Sequence, residues 1–181
     1  MIDELGVLKI VIQRLESAGI RYMITGSVAA NFYVTPRMTR DIDIVINIEH
    51  TDAEQLYSLF SEDFYVDIAL IKDAISRQRM FNIIHNEGII KIDFIIRQDN
   101  EYRKVEFDRR GSIDLEGLSV YVVSPEDLIL SKLYWAKDSM SGLQIMDVRN
   151  LLRIPGIDME YIKKWVDKLE LNEIFKKVVN K

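Results

Sequence analysis

Apolar residues recur at helical spacing over residues 3–18, with Leu5, Leu8, Ile12 and Leu15 on one stripe, and Gly19 ends the pattern. This predicts an amphipathic helix. Tyr22-Met23-Ile24-Thr25 reads as a short buried strand, after which Gly26-Ser27 turns the chain into a second helix over about Val28–Tyr33, broken by Pro36. From Asp41 to Ile48 the pattern switches to alternation, the strand period. Thr51–Ser61 and about Asp67–Arg77 return to helical spacing. Met80–His85 and Gly88–Ile96 read as two strands joined by a hairpin turn at Asn86-Glu87-Gly88, and Tyr102–Phe107 and Leu118–Val123 as further strands.

The character changes at Ser124-Pro125-Glu126-Asp127. A capping serine, a proline in the first turn and two acids near the positive end of the helix dipole mark a helix start. The rest of the chain reads as helical, with a break at Pro155-Gly156. The expected class is α+β: a mixed sheet core over residues 1–123 and a helical part over residues 124–181. No flexible linker separates them, so the two are expected to share one core.

Alternation has a chemical consequence in Thr39-Arg40-Asp41-Ile42-Asp43-Ile44-Val45-Ile46. Ile42, Ile44, Ile46 and Ile48 face one way, and Asp41 and Asp43 the other. Two carboxylates on one strand face suit a hard cation such as Mg2+ (or Mn2+), which takes one or two protein carboxylates and leaves room for phosphate oxygens. A second stretch, Ile89-Ile90-Lys91-Ile92-Asp93-Phe94-Ile95-Ile96, is almost continuously apolar, as in a strand buried on both faces. Lys91 and Asp93 interrupt it on one face, and a buried charge requires a partner or a metal. If the two strands are neighbours, Asp41, Asp43 and Asp93 converge as metal ligands for phosphoryl transfer. The same residues also fit an exposed strand start beside a salt-bridged edge. Gly26-Ser27, entering a helix whose N-terminal N–H groups are free, suits a triphosphate, although glycine turns into helices are common. Arg37 and Arg40 are candidates for neutralising phosphate charge, or surface residues.

Composition narrows the options. The absence of cysteine excludes disulfides, thiolate metal sites and cysteine nucleophiles, and two histidines, His50 and His85, leave little for a multi-histidine zinc site. The net charge of −5 gives no global basic field for nucleic acid. Local basic clusters lie between Arg97 and Arg110 and near the C-terminus. No apolar run reaches the roughly 18 residues that span a bilayer. The acidic start, MIDELGVLK, is unlike a signal peptide, so no membrane association and a cytoplasmic location are expected.

Gly-Ser, a short helix, Asp-x-Asp on a strand and a later lone Asp on another strand resemble the polymerase-beta-like nucleotidyltransferase superfamily. More narrowly, TGSVAANFYVTPRMTRDIDIVI, KIDFII and SPEDLILSKLYWAK resemble the AbiEii/AbiGii-type toxin nucleotidyltransferases and their relatives, over roughly residues 20–152. The resemblance implies a bilobed α/β fold, magnesium, and transfer of a nucleoside monophosphate from a nucleoside triphosphate. It places the first motif at Gly26, Ser27, Asp41 and Asp43, a Lys-x-Asp motif at Lys91 and Asp93, an Asp-x4-Lys motif at Asp127 and Lys132, and a further aspartate at Asp147. For such toxins the acceptor is tRNA; other superfamily members modify small molecules or proteins, and a toxin implies an antitoxin partner. The residues themselves support Lys132, which shares a helical stripe with Leu128, Trp135 and Ala136 and so calls for an anionic partner, a triphosphate or Asp147; a lysine snorkelling at the stripe's edge is the alternative. Asp127 reads first as a cap residue. Gln144 and Asn150 depart from the family's later motif. The Asn150 departure and the acidic net charge motivate the alternative of a nucleotide-binding or interaction module without turnover, and a nucleic-acid binder without chemistry, resting on the basic clusters, is a third reading.

Overall fold

The structure is a computed structural model describing residues 2–39, 41–139 and 141–179. Its strands are β1 (Arg21–Thr25), β2 (Asp41–Asn47), β3 (Phe64–Tyr65), β4 (Met80–His85), β5 (Lys91–Ile96), β6 (Gly111–Leu115) and β7 (Leu118–Val122). They form one mixed sheet in the order β3-β4-β5-β2-β1-β7-β6. The first five helices are α1 (Glu4–Ser17), α2 (Gly26–Tyr33), α3 (Ala53–Phe60), α4 (Ile68–Arg77) and α5 (Glu101–Asp108). The C-terminal four are α6 (Pro125–Ser139), α7 (Gly142–Leu151), α8 (Met159–Lys168) and α9 (Asn172–Val179).

The alternating pattern of β2 acts as expected. Ile42, Ile44 and Ile46 are fully buried, while Asp41 and Asp43 on the other face are half-buried. Ile92, Phe94 and Ile96 of β5 join the same core. Ser124 caps α6 by accepting from the Asp127 N–H at 3.2 Å, with Pro125 as the first helical residue. The helices from α6 onward bury Leu128, Leu133, Val148, Ile162 and Trp165 in the same apolar cluster as the sheet. No described helix is long and apolar enough to cross a membrane.

One expectation is corrected. Tyr102–Phe107 is not a strand but the body of α5. Asn100 starts the helix by accepting from the Arg103 N–H at 2.9 Å, and the buried residues Tyr102, Glu106 and Phe107 follow helical spacing. Two strands have no clear signature in the sequence. β3 is only two residues long. β6 is an edge strand with no fully buried residue, so no apolar face marks it. Glu116-Gly117 joins β6 to β7 with both φ angles positive, 50° and 84°, a geometry typical of tight hairpins.

Candidate active site

β2 lies between β1 and β5, and this pairing builds the site. β2 and β5 run parallel with Asp41 opposite Lys91 and Asp43 opposite Asp93. On the other side Thr25, the last residue of β1, stands opposite Asp43, and α2 begins at the next residue. Gly26 has φ +66°, and a β-carbon there would overlap the Asp43 carboxylate. Glycine is therefore required twice, by the backbone angle and by the close approach of Asp43.

The carboxylates share one face without forming a finished metal cage. Lys91 Nζ lies 2.8 Å from Asp93 Oδ2 and 3.4 Å from Asp41 Oδ1, so an ammonium stands between two of the three acids. Among the described residues, no three acidic or histidine side chains form a ready-made ligand group. Asp93 Oδ1 is nevertheless buried without any hydrogen-bond partner. Burial, then the charges of Asp93 and Asp41, push the Asp43 carboxyl up to about 6. A cation at this face would relieve both features.

A second cluster lies beside Ser27. Arg37 donates from Nη2 to Ser27 Oγ at 2.7 Å and to Asp147 Oδ2 at 2.8 Å, and from Nε to Asp147 Oδ1 at 3.1 Å. Its backbone is held by the Asn31 amide, which donates to Arg37 O at 2.9 Å and accepts from Arg37 N at 3.0 Å. Lys132 Nζ donates to Asp147 Oδ2 at 2.8 Å and to Gln144 Oε1 at 3.2 Å. Burial lowers the Lys132 ammonium pKa. Burial also pushes the Asp147 carboxyl up, but the hydrogen bonds from Arg37 and Lys132 outweigh it and leave the carboxyl below its usual range. Asp147 thus holds two cations next to the α2 N-terminus.

Of the residues singled out by sequence, Gly26, Ser27, Asp41, Asp43, Lys91 and Asp93 lie together, with Lys132 and Asp147 adjoining Ser27 through Arg37. Arg40 lies outside the described residues. Asp127 stands apart. Fully buried, it accepts from Ser124 Oγ at 2.7 Å, Arg109 Nε at 3.0 Å and Tyr161 Oη at 2.7 Å, tying α6 to α8 and to the residue after α5. A cleft of about 600 Å3 opens beside Gly26, Ser27, Asp43 and Lys132 and extends to Arg103, Glu106, Tyr134 and Trp135. In sequence Trp135 is visible only as a member of the Lys132 stripe and Arg103 only within a basic cluster; Tyr134 and Glu106 are not singled out, and Glu106 at helical spacing from Tyr102 and Arg103 is the available signal.

The family model described as nucleotidyl transferase of unknown function (DUF2204) matches residues 4–179. The chain belongs to this nucleotidyl transferase family. Solved structures share the nucleotidyl transferase fold. An antigenic nucleotidyltransferase-like protein from Paracoccidioides brasiliensis is 21% identical, with 95% of this chain and 91% of that chain covered and a TM-score of 0.59. The antibiotic-resistance factor ANT(2'')-Ia is 13% identical, with 96% and 95% covered and a TM-score of 0.64. The lincosamide antibiotic adenylyltransferase LnuA is 14% identical, with 84% and 98% covered and a TM-score of 0.58. No curated protein matches the chain by sequence.

Proposed function

We propose that this nucleotidyl transferase moves a nucleoside monophosphate from a nucleoside triphosphate to an acceptor hydroxyl, with Mg2+ or Mn2+ bound at Asp41, Asp43 and Asp93. The observation that carries the reading is the register of Thr25, Asp43 and Asp93 across three strands, with α2 starting at Gly26 beside them. The unpartnered Asp93 Oδ1 and the raised Asp43 carboxyl fit a divalent cation. When bound, that ion supplies charge neutralisation for the phosphates. The free N–H groups at the start of α2, with Ser27 Oγ, hold the terminal phosphates. Arg37, already hydrogen-bonded to Ser27 Oγ, and Lys132 supply positive charge beside those phosphates, and Lys91 keeps Asp93 oriented. The acceptor oxygen bonds to the α-phosphorus, the bond to the β-phosphate oxygen breaks, and pyrophosphate leaves. The acceptor's proton passes to Asp93.

The sequence resemblance to AbiEii-type toxins favours tRNA as the acceptor and an antitoxin as a partner. The antibiotic adenylyltransferase LnuA, of the same fold, favours a small molecule instead; a protein side chain is the remaining class. The test is incubation with each of the four nucleoside triphosphates, Mg2+, and RNA, protein or metabolite fractions, followed by mass spectrometry. An acceptor heavier by one nucleoside monophosphate, absent with Asp43→Ala, is the expected result. No mass shift in any fraction defeats the catalytic reading.

A second reading has two observations in its favour: Lys91 bridges Asp41 and Asp93, and Arg37 donates to the Ser27 hydroxyl. In that reading the site binds nucleotide without turnover. Mg2+-dependent nucleotide binding with no product in any fraction would select it.

A further inference from the structure

The cleft has an inner arm that phosphate binding does not use. Its floor is Val45 and Ile95, next along β2 and β5 after Asp43 and Asp93 on the same strand faces. Its side is α6, with Tyr134 and Trp135 at the cleft, 50% and 58% exposed. At its end lies a polar group that joins α5 to α6. Glu106, 2% exposed, accepts from Ser131 Oγ at 2.6 Å and from Arg103 Nη1 at 2.8 Å, and Arg103 Nη1 also donates to Ser131 Oγ at 2.9 Å. Arg103 Nε and Nη2 make no hydrogen bond among the described residues. The Glu106 carboxylate is buried but the Arg103 side chain is 22% exposed and lines the cleft, so the guanidinium is within reach of a ligand there.

We propose that this arm is the nucleobase subsite, in which Tyr134 and Trp135 hold the flat face of the base and Arg103 and Glu106 read its edge. The inference rests on the nucleotidyl-transfer reading above. With the terminal phosphates at Ser27 and the α-phosphate at Asp43, the nucleoside continues away from Ser27. Two directions are open to it. Toward Asp41 and Lys91 the surroundings are open, with Met38 95% and Ile89 75% exposed, which suits an acceptor of any size. Toward Val45 and Ile95 the arm is walled on several sides, has an apolar floor and an aromatic side, and belongs to a cleft of about 600 Å3, the size range that takes one nucleotide. A third phosphate gains little there, because Glu106 already neutralises Arg103 and leaves no net positive charge on the wall. A base suits the arm: every nucleobase edge sets a donor beside an acceptor, and a carboxylate beside a guanidinium offers the complementary pair.

The test uses calorimetry on the full chain with Mg2+, titrating inorganic tripolyphosphate and each of the four nucleoside triphosphates. Wild type is expected to bind its preferred nucleotide at least about tenfold more tightly than tripolyphosphate, since one base on an aromatic platform contributes about that much. Trp135→Ala, at an exposed position that leaves the core intact, is expected to weaken all four nucleotides by about fivefold or more and tripolyphosphate by less than about twofold. Glu106→Gln exchanges an acceptor-only group for a mixed one, and is expected to change the ranking among the four nucleotides while tripolyphosphate stays the same. Equal binding of tripolyphosphate and nucleotides, or a Trp135→Ala protein with unchanged nucleotide affinities, overturns the base subsite and leaves the transferase reading standing. No binding of any nucleotide or of tripolyphosphate to wild type removes both readings.

Discussion

Asp43→Asn should make the metal-free protein more stable while abolishing transfer. The Asp43 carboxyl is pushed from 3.8 to about 6, first by burial and then by the charges of Asp93 and Asp41. An acid whose folded-state pKa lies above its unfolded value destabilises the fold when ionised. The penalty is absent below about pH 4, grows as pH rises toward 6, and is complete above it. At about 1.4 kcal/mol per unit, the shift corresponds to about 3 kcal/mol at neutral pH. A buried amide needs partners of its own, which reduces the gain to roughly 1–3 kcal/mol. For a chain of this length each kcal/mol moves the melting temperature by about 2–4 °C. Thermal unfolding in EDTA at pH 7.5 should therefore place Asp43→Asn several degrees above wild type. The gap should close toward pH 4, and added Mg2+ should raise wild type but not the variant. A variant less stable than wild type at pH 7.5, or a gap that does not change with pH, would refute the crowded-carboxylate reasoning.

Other perturbations separate catalytic from structural residues. Gly26→Ala should lose activity and about 1–3 kcal/mol of stability in denaturant unfolding, because alanine is strained at φ +66° and its β-carbon overlaps Asp43. Lys132→Met and Asp147→Asn each break a buried pair, and each should destabilise by up to about 3–5 kcal/mol; in a double-mutant cycle the combined change should be well below the sum. Asp127→Ala removes the acceptor of Ser124, Arg109 and Tyr161 and should lower the melting temperature, while any protein that remains folded keeps its nucleotide affinity by calorimetry.

Local rules reach far at Asp41 and Asp43, because a strand's period of two decides which side chains share a face. They cannot place β5 beside β2, which depends on pairing between segments about fifty residues apart and is what brings Asp93 opposite Asp43. α5 looks like a strand in sequence because Tyr102, Val105 and Phe107 are strand-favouring residues; the Asn100 cap and the burial of Glu106 decide for helix. Arg37 is ambiguous for a similar reason. Its partner Asp147 is 110 residues away, and only the packed structure brings the guanidinium to both Ser27 and that carboxylate. Asp127 is legible as a capping-region residue, but not as the buried tie between α6, Arg109 and Tyr161.

The most direct measurement of the transferase claim compares nucleoside triphosphates labelled at the α- and at the γ-phosphate, incubated with the protein, Mg2+ and an acceptor-containing extract. Transfer of the α-label to an acceptor, release of the γ-label as pyrophosphate, and loss of both with Asp43→Asn is the predicted result. Transfer of the γ-label, or α-label transfer that survives Asp43→Asn, would contradict it.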